Sequence, residues 1–141
     1  NAGLAAVLQE QGKHNEAAAC IRLALTIGRT MHNSPCIGVA LLALANLRVA
    51  QAQTFSKKLP RARTRLLNHA KEDIQRVLAL EGLEAETRTR SQLTLAQISL
   101  LMGAMKKAKA LAEKVIDEAQ QHELASVEEK ARRLLEGQLI Y

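Results

Sequence analysis

The chain has 141 residues, 48% hydrophobic and 24% charged, with a formal net charge of +6. That is the composition of one folded domain or a few small repeated units, and it excludes a disordered chain. Phe55 and Tyr141 are its two aromatic residues, which argues against a carbohydrate site, an aromatic cage or a base-stacking surface, since each is built from rings.

Apolar residues recur at helical spacing with no sustained two-residue alternation, which predicts an all-α chain. A short helix is expected over 2–11, stopped by Gly12, and a second over 14–31. Ser34 then caps a third helix whose first turn holds Pro35, a residue suited to that position. This helix, 35–55, carries Arg48 as its one charge between Cys36 and Ala50, so it reads as the central helix, buried on several sides. Its continuously apolar part, Cys36 to Leu47, is shorter than the roughly 20 residues a membrane span needs, so no membrane partner is expected.

Pro60 opens a fourth helix that Gly82 ends. A fifth spans 84–102 before Gly103, and a sixth 105–122. Ser126-Val127-Glu128-Glu129 has the form of a capping box and starts a seventh. Short loops between them predict antiparallel pairs.

Cys20 and Cys36 make neither a disulfide framework nor a metal set, and both are expected to be buried as small hydrophobes in a cytoplasmic protein. His14, His32, His69 and His122 include no i,i+4 pair, so no metal site is expected. No glycine-rich phosphate loop and no local nucleophile–base pair is present. The chain is therefore read as having no catalytic residues and no cofactor. It also begins and ends in mid-pattern, as expected of a piece of a larger protein.

Self-comparison reveals a repeat. Leu4-Ala5, Leu8, Gly12, Ala17, Ile21 and Ala24 share their spacing with Leu95-Ala96, Ser99, Gly103, Ala108, Ala112 and Val115. A third copy, with an insertion, runs through Leu41, Leu44-Ala45 and Arg48 to Ala70, Ile74 and Val77. This spacing resembles the tetratricopeptide repeat, W-x₂-L-G-x₂-Y…A-x₃-F…P, although the Trp and Tyr positions carry other residues here. The long, aromatic-poor copies also resemble the helical sensor region of maltose-regulator-like (LuxR-family) transcriptional activators.

The resemblance implies a single domain over 1–141, with approximate repeats 1–33, 34–82 and 83–123 and a following helix, 124–141. It implies a right-handed superhelix of antiparallel helix pairs, an α-solenoid of about seven helices, working as a scaffold for protein–protein interaction. The first helix of each pair would line a concave face, here Val39, Leu42, Asn46, Val49, Arg90, Leu93, Gln97 and Leu100. A peptide or partner protein is the expected ligand of that face. The alternative is a sensor segment of a transcription regulator, taking a small effector or an inhibitory protein. Exposed repeat ends would also allow a homo-oligomer.

Charge is uneven. Residues 17–71 hold nine basic residues and no Asp or Glu. The peak is Lys57, Lys58, Arg61, Arg63 and Arg65, at the insertion. A solvated tip accounts for it; a nucleic-acid-binding helical repeat is the second alternative function, since cations at this density neutralise phosphates.

Overall fold

The structure, a computed structural model, describes residues 2–54 and 60–136, with side chains over 12–53 and 61–136. These residues form six α-helices and no strand: α1 Ala2–Thr30, α2 Ser34–Thr54, α3 Pro60–Leu78, α4 Ala85–Leu101, α5 Met105–Gln121 and α6 Ala125–Leu135. Consecutive helices pack on one another, α2 also touches α4, and α4 also touches α6. Among the described residues α1 does not touch α3, nor α3 α5. The even-numbered helices thus form a continuous inner row, and the odd-numbered ones stand apart on the outside.

The expected break at Gly12 is absent, so six helices replace the expected seven among the described residues. Gly12 lies inside α1, exposed, without a positive φ and with open space around its α-carbon. A helix tolerates such a glycine at a cost of about 1 kcal/mol. The matching Gly103 does end its helix, with φ +83°. The same spacing therefore folds as one long helix in its first copy and as a hairpin in the copy that begins at Leu95. Gly12→Ala is expected to raise stability by about 0.5–1 kcal/mol, measured by urea unfolding; a loss would mean that Gly12 sits in a turn.

Three helix ends share one turn. After α1, α4 and α5 the residues His32 (φ 52°), Gly103 (φ 83°) and Glu123 (φ 57°) enter the left-handed region. In each turn the next amide donates five residues back: Asn33 N–H to Gly28 O at 2.9 Å, Ala104 N–H to Ser99 O at 2.9 Å, and Leu124 N–H to Ala119 O at 2.8 Å. This is the Schellman closure, which satisfies orphan helix carbonyls and favours glycine at the left-handed position. His32→Gly and Glu123→Gly are each expected to stabilise by about 1 kcal/mol, read as a rise in Tm of roughly 2–4 °C.

Two further caps differ from expectation. Asn33, not Ser34, caps α2: its Oδ1 accepts from the Cys36 amide at 3.1 Å. At α6 no side chain caps the helix. Glu128 Oε1 instead accepts hydrogen bonds from Arg132 and from Gln120 of α5, each at 2.8 Å, and these hold its carboxyl below the ordinary range.

The core has two parts. In the first, Leu41, Leu44, Ala45, Leu67, Ala70, Ile74 and Val77 join α2 to α3. In the second, Ala96, Ala108, Ala112, Val115, Val127, Ala131 and Leu134 join α4, α5 and α6. The small residues of the repeat let the paired backbones approach: Ala45, Ala70, Ala96 and Ala108 are all fully buried. Ala17 is only half-buried, and Ala5 lies outside the described side chains.

The helix with most neighbours is α4, not α2 as expected; it touches α2, α3, α5 and α6. Its burial is masked in the sequence by small hydroxyls that bond to their own backbone. Thr89, Ser91 and Ser99 donate to the carbonyls of Ala85, Thr87 and Leu95 at 2.8, 2.7 and 3.0 Å. Back-bonding of this kind satisfies a buried hydroxyl without a partner from another helix. Helix α2 is apolar for a related reason, since it packs on α1, α3 and α4. Its segment Ser34–Gln53 is by length and composition also sufficient to cross a membrane, so length alone does not separate a core helix from a span here. The lone charge of that segment is accounted for inside the protein. Arg48 forms an ion pair with the buried Asp73 of α3 and also donates to the His69 carbonyl at 3.4 Å.

Candidate functional site

The inner row carries a groove of about 420 Å³. Helix α2 contributes Leu42, Asn46, Val49, Ala50 and Gln53; α4 contributes Arg90, Leu93, Thr94 and Gln97; α6 contributes Val127 and Lys130. Each set recurs at three- and four-residue steps, which places it on one face of its helix. Because among the described residues α2 and α6 each touch α4 but not one another, α4 is the floor and the other two are walls.

Six of the eight residues expected on a concave face come together here: Leu42, Asn46, Val49, Arg90, Leu93 and Gln97. Val39 and Leu100 do not. Val39 lies on a separate cleft between α1 and α2, and Leu100 packs into the α4–α6 core. The sequence reading omitted Gln53, Thr94, Val127 and Lys130. The i,i+3 pair Val127/Lys130 at the start of the last helix was the available signal.

Leu42 and Leu93, each 8% exposed, are as much core as groove. Of the polar lining, Asn46 and Arg90 are exposed, whereas Thr94 and Gln97 are as buried as the two leucines. The Thr94 hydroxyl donates to Asn46 Oδ1 at 2.8 Å. That bond orients the exposed Asn46 amide so that its NH₂ remains as a donor. Gln53 Nε2 is a second donor, buried with no partner among the described residues. Such an atom costs stability unless something supplies an acceptor. Arg90 pairs with Glu86 at 2.8 Å, and Lys130 stands on the opposite wall. The groove therefore offers amide and cationic donors over an aliphatic base, and among the described residues no carboxylate lines it.

The α1–α2 cleft is larger, about 600 Å³, and mostly apolar, with exposed Ile27, Met31 and Val39. Cys20 and Cys36 line it and are exposed, contrary to the expected burial, because among the described residues no helix covers this flank of α1. Arg61 and Arg65 lie on the exposed outer face of α3 with Asn68, His69 and Glu72. Arg63 points the other way and donates to the Leu101 carbonyl at 3.4 Å. Lys57 and Lys58 lie outside the described residues. No group of three His, Cys, Asp or Glu side chains suited to a metal ion occurs among the described residues.

No family model, curated protein or solved structure matches the chain.

Proposed function

We propose that this chain is a protein-interaction module, a tetratricopeptide-like α-solenoid whose inner row binds an extended peptide segment of a partner protein. The carrying observation is the groove itself: aliphatic Leu42, Val49 and Leu93 lie beside the donors of Asn46 and of Gln53, which has no partner among the described residues. A peptide meets both demands, since its side chains fill the apolar base and its backbone carbonyls accept from the amides. The contact of α2 with α4 and of α4 with α6 supports the solenoid reading, because stacked helix pairs touch through their first helices.

The test uses the exposed Asn46 and the half-buried Lys130, since Asp at Leu42 or Leu93 would damage the core. A partner isolated by affinity capture is titrated against the parent and against Asn46→Arg/Lys130→Glu. The affinity is expected to fall at least tenfold, with the melting curve unchanged. Unchanged affinity would overturn the proposal.

A second reading, a sensor segment holding a small effector, is favoured by the groove volume of about 420 Å³, which lies in the range of small-ligand pockets. A metabolite that raises Tm in the parent and not in Asn46→Arg would select it.

A further inference from the structure

The fold joins two basic clusters that are far apart in the sequence. The bond from Arg63 Nη2 to the Leu101 carbonyl, at 3.4 Å, sets the first turn of α3 beside the end of α4. From there the turn through Gly103 leads directly into α5 at Met105. Arg61 and Arg65 thus stand at the same end of the protein as Lys106, Lys107 and Lys109. All five are exposed, and none takes part in an ion pair among the described residues.

One acid, Glu72, shares the outer face of α3 with Arg61 and Arg65 among the described residues. Helix α2 has no acid; the first acid in α3 is Glu72, the first in α5 is Glu113, and the last in α4 is Glu86. Helices that alternate in direction send Glu81, Glu84 and Glu123 to the opposite turns, whereas Glu136, at the end of the shorter α6, points back toward the basic end. Basic residues therefore outnumber acids where α3 and α5 begin, which a sum over the sequence does not reveal.

We infer that this basic end binds the phosphate backbone of double-stranded nucleic acid, without base readout. This is a second surface, independent of the groove and of its proposed peptide. Unpaired cations from two outer helices that share one end of the fold neutralise phosphates and release condensed counterions, and guanidinium groups match phosphate geometry. A duplex is favoured over a single strand because single-strand surfaces stack bases on aromatic rings, and no Phe, Tyr or Trp ring stands here among the described residues. It is favoured over a lipid surface because the large exposed apolar side chains near this end are Met102 and Met105. Interfacial anchoring draws on Trp, Phe or Leu.

The test is fluorescence anisotropy with a labelled duplex DNA of about 20 base pairs and mixed sequence. Kd is expected to rise about a hundredfold between 50 and 200 mM salt, the slope of roughly four neutralised phosphates. Arg61→Glu/Arg65→Glu and Lys106→Glu/Lys107→Glu should each weaken binding at least tenfold at 50 mM salt. Arg22→Glu/Arg29→Glu on α1 makes the same change in net charge and should alter it less than twofold. Arg61→Gln/Arg65→Gln replaces the first variant if circular dichroism shows lost helix. The inference is overturned by no binding at 50 mM salt or by an equal effect of the α1 variant. Indifference to the α5 variant, or binding to phosphatidylserine vesicles without binding to the duplex, overturns it equally.

Discussion

Replacing Arg48 with Met is expected to destabilise the protein by about 3 kcal/mol at neutral pH, the largest loss from any single surface-reaching side chain here. Asp73 is 2% exposed and Arg48 24% exposed. Removing one partner of a buried ion pair strands the other charge and costs about 3–5 kcal/mol; the partial exposure of Arg48 sets the estimate at the lower end. Arg76 does not rescue Asp73, since it lies 3.9 Å away and is largely exposed.

The pH dependence has a definite sign. Burial raises the Asp73 pKa above 3.8, and Arg48 opposes that rise. The folded chain therefore binds this proton more tightly than the unfolded chain does. This residue lowers stability as pH rises through the interval above 3.8, and the full cost stands at neutral pH. Without Arg48 the interval widens. The deficit of Arg48→Met should be largest at pH 7 and smaller at pH 4, read from urea midpoints at the two values. Arg48→Met/Asp73→Leu should recover most of the loss, because an apolar pair of similar volume often equals or exceeds a buried ion pair. A double variant as unstable as the single one would contradict this account of the pair.

Ala96→Leu is the second large effect, a loss of about 3 kcal/mol. Ala96 and Ala108 are both fully buried where α4 meets α5. Side-chain size at such a contact sets the distance between helix axes. Three added carbons either separate the pair or force strained rotamers, and overpacking of this kind costs about 1–3 kcal/mol. Separation would also reach α6, which packs on both helices, so the upper end applies. Ala45→Leu should behave likewise between α2 and α3. Ala110→Leu, exposed on α5, should stay within about 0.5 kcal/mol. Chemical denaturation of the three variants checks the contrast.

Those alanines were legible in the sequence because a repeat with fixed spacing marks positions of close approach. The extents of α2, α3, α4 and α5 were legible too, from Pro35, Pro60, Gly82 and Gly103. What escaped had physical reasons. Gly12 carries the same letter as Gly103, yet a glycine ends a helix only when the chain needs the left-handed region there. His32 and Glu123 do enter that region without any residue type to mark it. Helix α4 did not stand out as the helix with most neighbours because its burial is carried by back-bonded Ser and Thr. Arg48 read only as the lone charge of an apolar helix; its partner Asp73 follows 25 residues later, and only the fold joins them. In the groove, the spacing on α2 and α4 marked one face, and the wall from α6 depended on how the last helix turns back.

The central claim is that the inner face of α2, α4 and α6 is where a partner binds. The most direct measurement is site-specific photocrosslinking in cells, with a benzophenone side chain placed in turn at Asn46, Val39 and Arg61. The account predicts one discrete protein adduct from Asn46, lost on adding Lys130→Glu, and not formed from Val39 or Arg61. An adduct formed from Val39 and not from Asn46 would move the binding face to the α1–α2 cleft and contradict the claim.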